Sequence, residues 1–376
     1  METKSHHYYL SGAKMVSKAA IDAGVNFFAG YPITPVNEIY SLMLSNLQRQ
    51  GKVGLGVFDE ISAVAMCAGA SMRGAKAMTA TSGPGFCLMI ENLGYAFMTE
   101  TPLLVVLGQR LGPSTGAATQ NSEGDILLAA SAITGGYHLP VLAPNSIFST
   151  YEMTIRAINI SEKYRTPVVL LTQKNILMSS RNIDSASIPT IDVEKRKPFE
   201  GEVFKTYDFT EFQDVPPFFP VGSGDHRVVI TGSMHDKAGT LSKDSPEAIE
   251  TLNHLRAKIE KNADDFSYFK LDDQNSADIC VISFLATDLS CREAVRRARS
   301  KSVKINHLTL FTLLPVPEKA IKQAIDKCKT VIIPEENMSG QYADLIMFLL
   351  EGKRVKKVNK IGGLISPDQI LEAILN

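Results

Sequence analysis

The sequence lacks long apolar runs, an excess of charge of either sign and an apolar N-terminal segment. No run approaches the length of about 18 residues that a membrane span requires, so we expect no membrane span. Lys and Arg number 39 against 40 Asp and Glu, a formal net charge of -1, so no overall field favours nucleic acid or anionic lipid. The first residues, METKSHHYYLSG, hold no apolar stretch of the kind found in a secretory signal, and we therefore expect a cytoplasmic protein.

Cysteine is also scarce. The five cysteines are odd in number, widely spaced and without a Cys-x-x-Cys pair. This pattern argues against a disulfide framework and against a zinc or iron–sulfur site in this chain, and it favours buried core thiols. The five are Cys67, Cys87, Cys280, Cys291 and Cys328.

What is present is typical of a folded α/β protein. The 376 residues are 44% hydrophobic and 21% charged, and at about 150 residues per domain they suffice for two or three domains. Short apolar runs alternate with helical spacing over residues 1–185, which predicts a doubly wound domain around a parallel sheet. Proline and glycine interrupt residues 186–275, a connector in which only Ser245 to Lys261 has a helical pattern. The alternation resumes over residues 276–376, which predicts a second, smaller α/β domain with a helix from Gly340 to Glu351.

Two clusters lie where predicted elements of the first domain meet. In GYPITP, residues 30–35, the two prolines predict a rigid turn at the end of a strand, which holds Thr34 in place for a ligand. The alternative is that Thr34 only caps the next helix. Asp59 and Glu60 open a further helix, whose dipole would stabilise both carboxylates without any catalytic role. Alternatively, a Glu60 packed against apolar neighbours would share a proton with a ligand nitrogen.

Two more clusters directly follow predicted buried strands. Ser82, Gly83 and Pro84 begin a glycine-rich turn into a helix, which lets a ligand or another backbone approach closely. The turn lacks the lysine of a phosphate loop and the GxGxxG of a dinucleotide fold, so neither of these sites is predicted. Arg110 follows the next strand, where it would grip a carboxylate with two hydrogen bonds or else form a surface salt bridge.

In this order and spacing, the clusters make the chain resemble the alpha subunit of 2-oxoacid:ferredoxin oxidoreductases, most nearly the 2-oxoglutarate group. The resemblance extends almost from end to end. Its motifs are YPITP (31–35), DEI (59–61), GASMRGAKAMTATSGPG (69–85), QRLGPSTG (109–116), TGSMHD (231–236) and PEEN (334–337).

The resemblance implies a thiamine-diphosphate-binding fold, with a pyrimidine-binding domain followed by a domain like the C-terminal one of transketolase. It implies oxidative decarboxylation of a 2-oxoacid with coenzyme A as cosubstrate, most nearly 2-oxoglutarate to succinyl-CoA, with the electrons passed to ferredoxin. Glu60 would be the catalytic residue and would bind N1′ of the cofactor's aminopyrimidine. Thr34, Tyr31 and Arg110 would bind the substrate, and Ser82, Gly83 and Pro84 would lie against the cofactor.

The resemblance also implies partner subunits. The chain has no GDG-type motif followed by an asparagine, which would hold Mg²⁺ and the diphosphate, and no cysteine cluster for an iron–sulfur centre. Thiamine diphosphate would therefore be shared with a beta subunit that carries Mg²⁺ and a 4Fe-4S cluster. Gamma and delta (ferredoxin-like) subunits and ferredoxin itself are the other expected partners.

Several alternatives stay open. Ala117 to Thr119 and Thr134 to His138 depart from the usual 2-oxoglutarate pattern, so a branched-chain or aryl 2-oxoacid is a possible substrate. His138 would meet a distal carboxylate or make ordinary hydrogen bonds. The basic run over residues 292–304 would be a solvated helix face or a contact for a partner or for coenzyme A. A non-catalytic structural subunit and a self-contained thiamine-dependent decarboxylase are the competing functions.

Overall fold

The computed structural model describes residues 6–376. Within this range the chain forms fourteen strands in three sheets. The strands are β1 (His7–Ser11), β2 (Phe27–Gly30), β3 (Val53–Gly56), β4 (Ala77–Thr81), β5 (Leu103–Gln109), β6 (Val141–Leu142), β7 (Pro167–Gln173), β8 (Ser180–Asp184), β9 (Phe269–Asp272), β10 (Ile279–Ser283), β11 (Ile305–Leu310), β12 (Thr312–Leu314), β13 (Thr330–Glu335) and β14 (Arg354–Asn359).

Twelve α-helices connect these strands in the described part of the chain. They are α1 (Gly12–Asp22), α2 (Asn37–Arg49), α3 (Glu60–Met72), α4 (Gly83–Met98), α5 (Ile126–Ala130), α6 (Ile147–Tyr164), α7 (Lys174–Met178), α8 (Pro246–Glu260), α9 (Thr287–Arg299), α10 (Glu318–Ile325), α11 (Gln341–Leu345) and α12 (Pro367–Leu375). None of the described helices is both long enough and apolar enough to cross a bilayer.

The first sheet has seven strands in the order β12-β6-β7-β5-β4-β2-β3. Its neighbours from β6 to β3 pair in parallel, and only β12 at one edge pairs antiparallel. The central strands β5 and β7 are buried at every position because helices cover both faces of the sheet. This is the doubly wound parallel arrangement that the alternation of apolar runs and helical patterns predicts.

The second sheet has five strands in the order β14-β13-β10-β11-β9, with β9 antiparallel at the edge. Two edge strands cross the predicted domain limits, since β9 comes from the connector and β12 leaves the second domain to pair with the first sheet. The predicted helix from Gly340 to Glu351 is shorter in the structure. It ends with α11, and a 3-10 turn follows over Met347–Leu349. The tighter turn brings both Ile346 and Leu350 into the core.

The connector packs closely against the first domain. Buried Arg165 donates to the carbonyl oxygens of Thr206 at 3.2 Å, of Pro216 at 3.1 Å and of Pro217 at 3.0 Å. Lys258 of α8 forms a fully buried ion pair with Glu100, which follows α4. Polar groups of the folded first domain therefore hold the connector in place, despite its many prolines and glycines.

A buried set of side chains joins the two domains, which we call the domain-boundary network. Glu123 accepts hydrogen bonds from the Thr287 hydroxyl at 2.7 Å and from the Glu336 backbone N–H at 2.9 Å. Glu336 in turn accepts from Asn121, from Gln173 at 3.4 Å and from the backbone of Ile365 at 3.3 Å. Burial raises the pKa of Glu123 well above its ordinary value, and the Glu336 charge adds to the effect. The network consists of Asn121, Glu123, Gln173, Thr287, Glu336 and Ile365.

Four of the five cysteines are buried, as expected, but Cys87 is exposed. The prediction of a core thiol is therefore wrong for Cys87, because helical spacing alone does not tell which side of a helix the core occupies.

Candidate active site

The predicted site residues gather at one edge of the first sheet. Strands β2, β4 and β5 run in parallel, so their carboxyl ends open on the same side. The GYPITP turn follows β2, the glycine-rich turn follows β4, and Arg110 follows β5. Gly108 shows how tightly these parts pack, because a Cβ there would lie 2.7 Å from Val36 and 3.0 Å from Pro35 of the turn.

Asp59 and Glu60 lie side by side but differ in role. Asp59 caps α3, since its Oδ1 accepts the Ser62 backbone N–H at 2.7 Å, and this bond lowers its pKa. Glu60 is only 6% exposed and faces the glycine-rich turn. Within residues 6–376 its carboxylate accepts no hydrogen bond. The helix terminus therefore accounts for Asp59, whereas the Glu60 carboxylate keeps its acceptor capacity free for a further partner.

Gly85 makes room for the Glu60 carboxylate. A Cβ at this position would lie 2.7 Å from Glu60 Cδ and would overlap the Thr81 hydroxyl. The residue here must therefore be glycine if the carboxylate is to occupy this recess. The turn and the carboxylate were separate features of the sequence, and the structure brings them into direct contact.

Arg110 reaches the GYPITP turn. Its Nη1 donates to the main-chain oxygen of Thr34 at 2.8 Å, and the side chain is 7% exposed. No ion pair of Arg110 is found in the described part of the chain, and its buried Nε has no partner there. The guanidinium therefore keeps capacity for an anion, which disfavours the surface salt bridge.

Thr34 and Tyr31 belong to the GYPITP turn. The Thr34 hydroxyl accepts a bond of 3.3 Å from the Asn37 side chain and still has its own proton to donate. Tyr31 is 38% exposed, and among the described residues its side chain makes no hydrogen bond or ring contact. The structure thus joins Thr34 to Arg110, whereas Tyr31 forms no hydrogen bond with any described site residue.

Ser82, Gly83 and Pro84 form the start of α4. Ser82 is fully buried at the N-cap, yet its Oγ has no partner within residues 6–376 and does not cap the helix. Gly83 contacts a residue that the sequence reasoning missed, because a Cβ there would lie 2.9 Å from Asp125 Oδ2.

Asp125 and Gln109 are the missed members of the pocket. The Asp125 backbone N–H donates to Gln109 Oε1 at 3.0 Å, while Asp125 Oδ2 and Gln109 Nε2 are buried without partners in the described chain. Burial raises the pKa of Asp125 to about 6, against the opposing charge of Arg110. Gln109 was within reach as the neighbour of Arg110 in the motif, but no local pattern marks Asp125.

An exposed apolar surface borders Glu60, which we call the α3–α4 face. Phe58, directly before α3, is 97% exposed. Other large apolar side chains on the two helices are also open to solvent. They are Ile61, Met66, Leu88 and Tyr95. Exposed apolar side chains next to a nearly buried acid are typical of a binding surface.

The remaining candidates lie outside this pocket. His138 Nδ1 pairs with the carbonyl of Ala130 at 2.7 Å, an ordinary loop contact. Arginines of α9 form ion pairs at 2.6–2.9 Å with neighbouring acids, which favours the solvated helix face. The pairs are Arg292 with Asp288, Arg296 with Glu293, Arg297 with Asp368 and Arg299 with Asp272.

Two family models match the chain. Residues 18–253 match that of pyruvate flavodoxin/ferredoxin oxidoreductase, thiamine diphosphate-binding, and residues 277–370 match core domain II of pyruvate:ferredoxin oxidoreductase. The 2-oxoglutarate synthase subunit KorA of Methanocaldococcus jannaschii is 38% identical and covers 98% of this chain and 99% of its own. The subunit of the same name from Methanothermobacter marburgensis is 36% identical and covers 99% of both.

Longer relatives match as well. Subunit alpha of 2-oxoacid:ferredoxin oxidoreductase 1 from Aeropyrum pernix is 29% identical over 92% of this chain, which spans 56% of that relative. A solved 2-oxoglutarate:ferredoxin oxidoreductase from Magnetococcus marinus, with 2-oxoglutarate, coenzyme A and succinyl-CoA bound, is 30% identical with a TM-score of 0.91. That match covers 98% of this chain and 65% of the other.

A split-gene transketolase, an inactive β4 tetramer, has a TM-score of 0.55 at 10% identity and covers 97% of both chains. This likeness concerns the fold alone. Together with the family models, it confirms the fold class that the sequence predicts, a thiamine-diphosphate-binding domain followed by a smaller α/β domain.

Proposed function

The chain belongs to the pyruvate flavodoxin/ferredoxin oxidoreductase family, and on this premise we propose that it is the alpha subunit of a 2-oxoglutarate:ferredoxin oxidoreductase. The reaction would convert 2-oxoglutarate and coenzyme A to succinyl-CoA and carbon dioxide, and two electrons would pass to ferredoxin. The relatives of matching length carry the name of this activity, and the solved relative binds its substrates and product. The observation that carries the proposal is the nearly buried Glu60 side chain, whose carboxylate lies against Gly85 and is unpaired within residues 6–376.

The pocket residues fit the pyrimidine end of thiamine diphosphate. Glu60 offers a carboxylate without a donor, Gly85 leaves space beside it, and the Ser82 hydroxyl lacks a partner within the described residues. These groups suit a flat heterocycle that carries nitrogen donors and acceptors on one edge. When bound, thiamine diphosphate supplies the carbon nucleophile and the electron sink for decarboxylation.

Glu60 would act on a proton. Its carboxylate would form a hydrogen bond with the ring nitrogen N1′ and share a proton with it. An ionised carboxylate can only accept hydrogen bonds, so the shared proton would lie between the two groups. The apolar surroundings would strengthen this bond by excluding water. The need to exclude water explains why the nearly buried Glu60, rather than the more exposed Asp59, would take this role.

Arg110 and Thr34 would bind the carboxylate next to the ketone. Arg110 is fixed through Nη1 to the Thr34 carbonyl, so its remaining donors have a set direction. The Thr34 hydroxyl can donate to the same anion. These two donors would orient the carbon–carbon bond that breaks in the decarboxylation. Tyr31, whose side chain is exposed, would close over the bound substrate.

The α3–α4 face would receive a beta subunit. Phe58 and Ile61 lie within two residues of Glu60 in the chain and are exposed, as is Leu88 of α4, so a partner on this face would cover the carboxylate and complete the site. In the part of the chain that the structure describes, no group of three His, Cys, Asp or Glu side chains could hold a metal ion. We assign the diphosphate, Mg²⁺ and a 4Fe-4S cluster to this partner, with gamma and delta subunits and ferredoxin as further partners.

The purified native complex tests the proposal. It would be offered a panel of straight, branched and aryl 2-oxoacids with coenzyme A and a low-potential dye. We expect 2-oxoglutarate to give the highest kcat/KM and succinyl-CoA to be the product. A preference for branched or aryl 2-oxoacids would reassign the substrate, and reduction of the dye by none of the acids would refute the proposed activity.

A further inference from the structure

We propose that Asp125 is a positioning residue that opposes Arg110 when a 2-oxoacid carboxylate binds, an inference that rests on the function proposed above. The acid lies at the end of the loop that begins with Arg110, directly before α5. Its carboxylate touches the first residue of α4, since a Cβ at Gly83 would lie 2.9 Å from Oδ2 and 3.1 Å from Oδ1. Asp125 therefore lines the same pocket as the substrate-binding candidates.

The backbone around Asp125 is fixed from both domains. Its N–H donates to Gln109 Oε1 at 3.0 Å. From the second domain, the Gln341 side chain donates to the Gly124 carbonyl at 2.8 Å and accepts the Leu127 N–H at 3.0 Å. The backbone that carries the Asp125 side chain is thus fixed, and its carboxylate is buried at the start of α4.

Asp125 and Arg110 both keep unused hydrogen-bonding capacity. Asp125 Oδ2 and Arg110 Nε are buried without partners in residues 6–376, and no ion pair within 4.0 Å joins the two side chains there. In a finished structural pair these atoms would satisfy each other. A carboxylate ligand that takes up the free capacity of Arg110 would therefore bind under the influence of the Asp125 charge.

Few charged groups face Asp125. Arg110 approaches from the loop after β5, and the Cys87 thiol approaches from α4 with a pKa that burial and the Asp125 charge both raise. Glu60 borders the same turn at Gly85. Burial raises the pKa of Asp125 to about 6, so it changes charge in the range where the enzyme would work.

The charge of Asp125 would therefore set the affinity for substrate. A neutral Asp125 leaves the Arg110 charge free for the incoming carboxylate. An ionised Asp125 offsets that charge and repels the anion, so KM should rise as the pH rises through about 6. The chemical step should be less affected, because Asp125 acts on the substrate through Arg110.

The test uses the purified complex with wild-type, Asp125→Asn and Asp244→Asn alpha subunits. The last is a matched control, an exposed acid of the connector. KM and kcat for 2-oxoglutarate would be measured between about pH 5 and about pH 8. We expect the wild-type and control KM to rise on the order of tenfold across this range, and the Asp125→Asn KM to stay at the low value. The kcat of Asp125→Asn should stay within about twofold of wild type.

A KM profile of Asp125→Asn parallel to wild type, with normal turnover, would overturn the inference and leave the proposed function intact. A loss confined to kcat would also overturn it. If Asp125→Asn does not assemble, Gly83→Ala replaces it. The added Cβ at residue 83 would press on Asp125 Oδ2 and should shift the dependence of KM on pH. An unchanged dependence would again count against the inference. Absence of 2-oxoacid turnover in the wild-type complex would refute the proposed function, and this inference with it.

Discussion

The pocket and the domain-boundary network are both buried and polar, yet they differ in how fully their atoms are paired. In the network, both oxygens of Glu123 and of Glu336 accept hydrogen bonds. In the pocket, Ser82, Gln109, Arg110 and Asp125 each keep a buried atom without a partner in the described chain. On the proposed function, the difference separates polar groups that hold this chain together from groups that would bind a ligand.

The physical basis of this comparison is the cost of an unpaired polar group. A buried donor or acceptor without a partner costs about 1–3 kcal/mol, so a fold keeps several together only where something else binds. In the domain-boundary network the polar atoms are paired, so substitutions there should lower the free energy of unfolding rather than kcat. Substitutions in the pocket and in the domain-boundary network should therefore differ in their effects on activity and on stability.

The largest effect is expected for Glu60→Gln in the assembled complex. The amide cannot hold the shared proton, so kcat should fall by about 10² to 10⁴ while thermal stability stays near wild type. Steady-state assays and thermal unfolding of the same preparations measure both. Asp59→Asn is the matched control, because asparagine also caps helices and should keep activity. Wild-type turnover in Glu60→Gln would remove Glu60 from the mechanism.

Loss of the substrate-binding donors should come next. Arg110→Ala should lower kcat/KM for the 2-oxoacid by about 10² or more, because a charge-assisted bond to a carboxylate is lost. Thr34→Ala removes a neutral donor and should cost about tenfold. The two variants would be compared in the same kinetic assay. Equal losses would argue against Arg110 as the main carboxylate ligand.

In the network, Glu336→Ala should act on stability. The substitution strands the Asn121 and Gln173 side chains and the Ile365 N–H, so the free energy of unfolding should fall by about 2–4 kcal/mol. The kcat of the complex that remains folded should change less than about tenfold. Chemical denaturation and activity per folded complex separate the two. A loss of kcat like that of Glu60→Gln, at unchanged stability, would break the comparison.

The smallest effect is expected for Glu123→Gln. Because its folded pKa is raised, Glu123 binds a proton in the fold that the unfolded chain has released, so wild-type stability should fall as the pH rises above about 4.5. The slope is at most about 1.4 kcal/mol per pH unit for one proton. Glu123→Gln should flatten it, and Glu372→Gln on exposed α12 should not. An unchanged slope in Glu123→Gln would mean that Glu123 is ionised in the fold.

Sequence reasoning singled out the parts of the proposed site that lie in short motifs. Glu60, Ser82 and Arg110 each directly follow a strand or open a helix, so local pattern was enough to place them at one sheet edge. Asp125 escaped because only the folded loop brings it to Gly83. The network escaped for the same reason, since Glu123 and Glu336 meet across 213 positions of sequence.

The same limit applies to the fold. The buried strands β5 and β7 follow from continuous apolar runs, and both are where the sequence predicts them. The edge strand β12 has three residues and pairs with β6 of the other domain. A strand this short carries no periodicity of its own, and its partner is set by how the domains pack.

A structure of the complete complex with thiamine diphosphate and 2-oxoglutarate bound tests the central claim most directly. We predict a Glu60 oxygen at about 2.6–3.2 Å from a nitrogen of the cofactor's pyrimidine ring, with a second subunit covering Phe58. A Glu60 side chain that faces open water, remote from the cofactor, would contradict the account.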